Sequence, residues 1–277
     1  MSKRREVERR IEALNEIHGI MNSMKNLAIM EVRKLGRYHA RQQRVVDAIG
    51  HALNDVRRHY LPETPTADLP PVYLLFGSER GFCGAYNQQL LELLARQPDH
   101  RQAPLIGVGA RLAEPLQRDY PHAVCLPGAS VAIEVGAVLA TVIVTLNRLR
   151  EEHGPLHLEV IHFLPDSQEP CCQPVLPPLH NASAQGSAPL INLPPQQLLG
   201  ELLEHYIFAL TYTWFFAALM SENQRRVQHL DHAGHHLAHQ VEDLGKRRNV
   251  LRQEEIIEEI EVILLSSEAV SSSGIKL

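Results

Sequence analysis

The sequence predicts an α/β protein in which the N- and C-terminal helices form a long antiparallel coiled coil flanking a Rossmann-like α/β domain. Three observations predict it. Residues 3 to about 59 contain no proline and repeat apolar side chains at helical spacing. From Gln196 onward proline is again absent and the helical pattern returns. Between them, short apolar runs alternate with helical stretches, the pattern of a mostly parallel sheet with helices on both faces. The domains read as 1–60, 70–195 and 196–277.

In the first helix the stripe runs through Val7, Ile11, Leu14, Met21, Ala28, Val32 and Leu35, with Ile17, Ile20, Met24 and Leu27 between. It is broad enough to touch more than one neighbour. At 1.5 Å per residue the helix would be about 80 Å long. No compact domain of 277 residues hides such a helix, so it must pair with another or enter a partner.

Pro62, Pro65, Pro70 and Pro71 mark a linker over Leu61 to Pro71. Val72 to Phe76 then reads as a buried strand and Gly77 to Gly84 as a loop. Ala85 to Gln97 reads as a helix, Pro104 to Gly109 as a strand and Ala110 to Asp119 as a helix. Ala123 to Leu126 is a short strand. Ser130 to Glu152 is a helix, although its middle (Val138 to Val144) imitates a strand. Leu156 to Leu164 alternates as a strand. The segment from Pro165 to Pro195 is rich in Pro, Ser, Gln and Ala, and should hold an edge strand at Gln173 to Leu176 within an exposed loop.

In the last helix Leu199, Leu203, Tyr206, Leu210, Trp214 and Ala217 share a face. A heptad-like seam follows: Val227, Leu230, Gly234, Leu237, Val241, Leu244, Arg248 and Leu251. The phase then passes to Ile256, Ile260 and Ile263. The helix would approach roughly 100 Å, and antiparallel pairing would bury both stripes. It is the longer of the two, so its end should project beyond its partner.

Aromatic residues at 5% are thin for one large core and suit long helices. A net charge of −5 points away from nucleic acid. The start is nonetheless basic (Lys3, Arg4, Arg5, Arg9, Arg10) and the end acidic (Glu254, Glu255, Glu258, Glu259, Glu261), as fits helices lying against each other or in an oppositely charged sleeve. Cys83, Cys125, Cys171 and Cys172 match no zinc spacing and read as reduced thiols. The N-terminus has no signal-peptide core. Tyr206 to Met220 falls short of the about 20 residues a bilayer needs and reads as a buried helix segment.

Gly77-Ser78-Glu79-Arg80-Gly81-Phe82-Cys83-Gly84 lies between a strand and a helix, where phosphate-cradling loops occur. Neither Gly-Lys-Ser/Thr nor Gly-x-Gly-x-x-Gly is present, so the glycines read as a tight turn that lets a helix approach. Cys83 has no base placed beside it and reads as a small buried residue. His229, His232, His235, His236 and His239 lie on one helix stretch. Without Cys or an H-E-x-x-H partner they read as a polar face, with a weak metal site as the lesser reading. No cofactor, resident metal or catalytic residue is expected.

The chain resembles the γ subunit of F-type ATP synthases, as a divergent bacterial branch. Arg9-Arg10-Ile11 through Met21-Asn22-Ser23-Met24 to Arg33-Lys34 is similar to the family's N-terminal helix. Ser78 to Asn87 resembles its Asp-Arg-Gly-Leu-Cys-Gly-Gly-x-Asn signature, carried here by Arg80, Gly81, Cys83, Gly84 and Asn87. Ser221-Glu222 matches the Ser-Glu that opens the last helical stretch. Arg252-Gln253-Glu254-Glu255-Ile256 resembles its Arg-Gln-x-x-Ile segment. The pieces occur in the family's order.

The resemblance implies a central-stalk rotor without an active site, coupling ion flow through the membrane sector to nucleotide chemistry in a surrounding hexamer. It implies α and β subunits of that hexamer, the ε subunit and the c-ring as partners, at the cytoplasmic face of a bacterial plasma membrane. Met24, Arg252 and Gln253 would meet the β subunit. Two departures stand out: Ile257 replaces Thr, and the end reads Ile263-Leu264-Leu265-Ser266-Ser267 where the family has Gly and Ala. Two other classes fit less well. An α/β enzyme using the loop at 77–84 would have only Glu79 and Arg80 as ligand groups. A coiled-coil scaffold or adaptor with an α/β insert would not need Arg252-Gln253.

Overall fold

The computed structural model describes residues 3–60, 69–175 and 188–273, with side chains described as far as 265. Helix α1 spans Lys3–Tyr60. There follow β1 (Pro71–Phe76), α2 (Tyr86–Leu94), β2 (Leu105–Val108), α3 (Ala110–Asp119), β3 (Val124–Leu126), α4 (Val135–His153), β4 (His157–Phe163), β5 (Pro170–Pro174) and α5 (Pro195–Ser273). Among the described residues the long proline-free segments are each one unbroken helix. The chain divides into two compact units. One comprises residues 27–229 and the other residues 1–26 with 230–277.

In the larger unit the strands are ordered β3-β2-β1-β4-β5. β1, β2, β3 and β4 pair in parallel, and β5 joins β4 antiparallel. The doubly wound sheet expected from the alternating pattern is therefore present, closed on one side by an antiparallel edge strand. Central strands alternate between two cores because successive side chains leave opposite faces. Val72, Leu74 and Phe76 face α4 and α5, whose Leu139, Val142, Trp214 and Phe215 join Leu35, Val46 and Leu53 of α1. Tyr73 and Leu75 face Tyr86, Leu90 and Leu94 of α2 and Leu112 and Leu116 of α3. Phe76 stacks on Phe215 at 4.8 Å between centroids.

The stretch Tyr206 to Met220 lies inside this unit, with Ala217, Ala218 and Leu219 buried. By length and composition the helix that carries it, like Ala132–His153, would pass for a membrane span. Burial against the sheet accounts for its apolar character. Three boundaries differ by two residues or more from the sequence reading. The helix expected to reach Gln97 ends at Leu94. The helix expected at Ser130 opens with a 3-10 turn at Ala132–Glu134, where the Glu134 carboxylate accepts a hydrogen bond from the Ser130 N–H at 2.7 Å. The edge strand spans Pro170–Pro174 rather than 173–176, and Leu176 lies outside the described residues. Proline is tolerated there because an edge strand leaves N–H positions unpaired.

In the smaller unit the two helices run antiparallel: Arg4 pairs with Glu255 at 2.8 Å and Lys25 with Asp231 at 2.9 Å. The α1 seam passes through Val7, Ile11, Leu14, His18, Met21 and Lys25, all half-buried. Its counterpart on α5 is Leu230, Gly234, Leu237, Val241, Leu244, Arg248, Leu251 and Glu255, spaced alternately three and four residues apart. This is the repeat of a left-handed coiled coil. The seam thus continues to Glu255 instead of shifting to Ile256. Ile256, Ile260 and Ile263 are exposed because α5 continues to Ser273 past the start of α1.

Candidate functional site

The Gly77–Asn87 loop leaves the C-terminal end of β1 and is fastened by four side chains, those of Asn87, Glu79, Glu222 and Arg226. Asn87 receives the Ser78 N–H on its Oδ1 at 2.9 Å and returns its Nδ2 to the Ser78 hydroxyl at 2.9 Å. Glu79 turns away from the loop, and its Oε2 accepts from the N–H of Ala110 at 2.8 Å and of Gly128 at 2.7 Å. Glu222 reaches in from α5, and its carboxylate accepts from the N–H groups of Glu79 and Arg80, each at 3.3 Å.

Glu222 is itself held by the Arg226 guanidinium, one turn along α5. Arg226 also donates its Nε to the Gly81 carbonyl at 3.0 Å and NH1 to Asn223 Oδ1 at 2.7 Å. Glu222, Asn223 and Arg226 are all buried. Burial pushes the Glu222 carboxyl above its usual range, against the opposing pull of Arg226 and the two backbone N–H groups. A buried ion pair of this kind costs several kcal/mol of desolvation. Its hydrogen bonds to the loop backbone offset that cost, and they give the pair a definite geometric task.

The signature residues have separate parts in this arrangement. Arg80 donates its Nε to the Ser130 hydroxyl at 3.0 Å. Gly84 adopts φ +61°, a left-handed conformation suited to glycine. Gly77 lets α3 approach, since a Cβ there would stand 2.4 Å from that of Leu112. Gly81 has neither constraint: its φ is not positive and the space beside it is open. What the loop uses at Gly81 is the carbonyl that Arg226 grips. Cys83 is buried with its thiol 3.6 Å from the Arg80 carbonyl, and burial raises its pKa. A protonated thiol is a poor nucleophile. All four cysteines are free.

The phosphate-loop alternative fails on this geometry. The N–H groups of Ser78, Glu79 and Arg80 are already satisfied by Asn87 and Glu222. The pairing of Glu222 and Arg226 with a loop more than 140 residues earlier could not be read from spacing. Its one trace in the sequence was the Ser221-Glu222 match.

His229 stands apart from the other histidines, its ring tilted against Phe82 at 6.5 Å. In the two-helix unit Met24 is half-buried, while Arg252 and Gln253 are exposed on α5. They occupy different helices from the Gly77–Asn87 loop and belong to a different unit.

Antiparallel helices paired through a heptad seam, and a sheet-end loop whose N–H groups are taken by Asn87 and Glu222, define a coiled-coil protein carrying an α/β unit. A family model described as ATP synthase matches residues 3–270. The ATP synthase gamma chain of Lachnoclostridium phytofermentans is 25% identical over 98% of this chain and 100% of that one. That of Clostridium botulinum is 21% identical, over 95% and 96% respectively. Among solved structures, a chain of the Euglena gracilis mitochondrial ATP synthase OSCP/F1/c-ring assembly superposes with TM-score 0.67. It is 15% identical, over 99% of this chain and 97% of that one. A chain of the Tetrahymena thermophila central stalk/c-ring gives 0.56 at 16% identity, over 77% and 99%. The chain belongs to the ATP synthase family, as a gamma chain, the central-stalk subunit that carries no catalytic site.

Proposed function

We infer that this chain is the rotor of a bacterial F-type ATP synthase. It links ion flow through the membrane sector to ATP synthesis or hydrolysis in a hexamer of α and β subunits. The observation that carries this reading is the two-helix unit. Most of its seam is only half-buried, and beyond Glu255 the helix exposes Ile256, Ile257, Ile260, Val262 and Leu265. A helix end that exposes this many large apolar side chains among Glu258, Glu259 and Glu261 calls for a surrounding protein sleeve. The hexamer supplies one. An asymmetric shaft inside it biases each catalytic site between open and closed states, and nucleotide binding biases the shaft in return.

In this reading Met24, Arg252 and Gln253 are the working contacts with the β subunits. Exposure of Arg252 and Gln253 supports that role. The α/β unit meets the ε subunit and the c-ring, as suits relatives solved together with F1 and a c-ring. The complex then sits at the cytoplasmic face of the plasma membrane. The scaffold alternative gains no observation of its own.

Two experiments test the proposal. Deleting this chain while keeping the other subunits should abolish coupled ATP synthesis, and normal synthesis without it would sink the rotor reading. Arg252→Ala with Gln253→Ala should weaken assembly or turnover while the isolated chain keeps its helical circular dichroism. A double mutant that unfolds would instead mark those residues as structural.

A further inference from the structure

Four histidines of α5 take no part in the rotor reading. His232, His235, His236 and His239 are all exposed. The seam of the same stretch runs through Leu230, Gly234, Leu237 and Val241, which are buried or half-buried. At 3.6 residues per turn the four imidazoles fall within an arc of about 100°, centred on the side opposite that seam. Each stands three or four residues from two of the others. Such positions bring Cβ atoms to about 5–6 Å, so two ring nitrogens can share one ion at about 2.0–2.1 Å.

The surroundings leave the rings available. His236 Nε2 is 3.1 Å from the side chain of Gln240, and His235 Nε2 lies 3.7 Å from Asp231. The neighbouring carboxylates are engaged elsewhere, Asp231 by Lys25 and Glu242 by Lys246, each at 2.9 Å. Imidazole donors without thiolate or free carboxylate suit zinc, nickel or copper and do not suit magnesium or calcium. Among the described residues no three such side chains converge on one point. Each ion would therefore be held by a pair and keep coordination positions open.

We propose that His232 with His236, and His235 with His239, form chelates for divalent transition-metal ions of the zinc class on the outward face of α5. The proposal does not depend on the rotor reading, because it concerns binding to this helix alone.

Titration calorimetry of the full chain with Zn²⁺ alone at neutral pH tests it. The wild type should show saturable binding. H235Q/H236Q leaves His232 and His239 seven residues apart, and H232Q/H239Q leaves His235 and His236 on diverging directions. Either should weaken binding by about a hundredfold, the advantage of a second ligand on one scaffold. H51Q, at an exposed histidine of α1, should change nothing. Cu²⁺ in place of Zn²⁺ should show two coordinating nitrogens by electron paramagnetic resonance in the wild type, and not in either double variant. No saturable binding in the wild type, or double variants that bind as tightly as the wild type, overturns the proposal.

Discussion

The two units use the same helices and much the same repeat, yet they differ in what the repeat accomplishes. Along α1, the seam residues Leu35, Val46 and Leu53 lie in the larger unit and are buried. The equivalent positions Val7, Ile11 and Leu14 lie in the smaller one and are only half-buried. The difference comes from the number of covering layers. In the larger unit a sheet and α4 complete the core around the helices. In the smaller unit each helix has one partner, and two helices cannot bury a stripe wider than a two-stranded seam. Ile17 and Ile20 fall outside the α1 seam and are exposed. A heptad pattern therefore states that a helix will be covered, without stating by how many neighbours.

Mutations should sharpen this contrast, and the largest effect is expected in the sheet core. Phe76→Ala removes a fully buried ring stacked on Phe215, and should cost about 3–5 kcal/mol in urea unfolding of the isolated chain. Ile257→Ala, at an exposed ring-free position of α5, should shift the same transition by less than about 0.5 kcal/mol. Similar losses for the two would erase the distinction drawn between the units.

Comparable in size is the effect of Glu222→Ala. It leaves the buried Arg226 without its carboxylate and should cost about 3–5 kcal/mol. Combining Glu222→Leu with Arg226→Met removes both charges and should recover most of that loss. If the double variant were no better than the single one, the loop hydrogen bonds rather than the charge would be the dominant contribution.

His162 provides a pH probe confined to the larger unit. It is fully buried, stacked on Trp214, and burial lowers its pKa to about 4. Hydrogen bonds to Gln173 and the Phe163 carbonyl only partly counter that. With an unfolded value of 6.5, the unfolded chain binds the extra proton between pH 6.5 and about 4. Stability from this residue is complete above pH 6.5 and falls by about 3 kcal/mol as pH drops through that window. His162→Gln should flatten this part of the stability profile. An unchanged slope would place the acid sensitivity elsewhere.

The smallest effect concerns Gly84. Its φ of +61° should make Gly84→Ala cost about 1–2 kcal/mol. Gly81→Ala, with negative φ and open space, should be close to neutral by the same melting experiment.

Much of this architecture is legible in the sequence because helical periodicity is a local signal. Both long helices, the order of the middle elements and the burial of Tyr206 to Met220 follow from it. Positions governed by partners distant in sequence are less legible. The edge strand was expected three residues late because Pro170 and Pro174 look like loop residues until their place at the sheet edge is known. Ile256 and Ile260 suggested a change of seam, since nothing local records where α1 begins to cover α5. For the site, the glycines announced a turn, but the roles of Glu79, Glu222 and Arg226 depend on contacts between distant segments.

Glu79 also carries a wider meaning. The C-terminal end of a parallel sheet, with the first turn of a helix beside it, is where α/β folds ordinarily receive an anionic ligand. Here the anion is already present and covalently part of the chain. The Glu79 carboxylate occupies the N–H of Ala110 at the start of α3, together with that of Gly128. The sheet thus serves as a host whose guest is its own side chain, held at the high effective concentration of an intramolecular partner. A pocket that elsewhere opens and closes around a substrate is here a fixed joint.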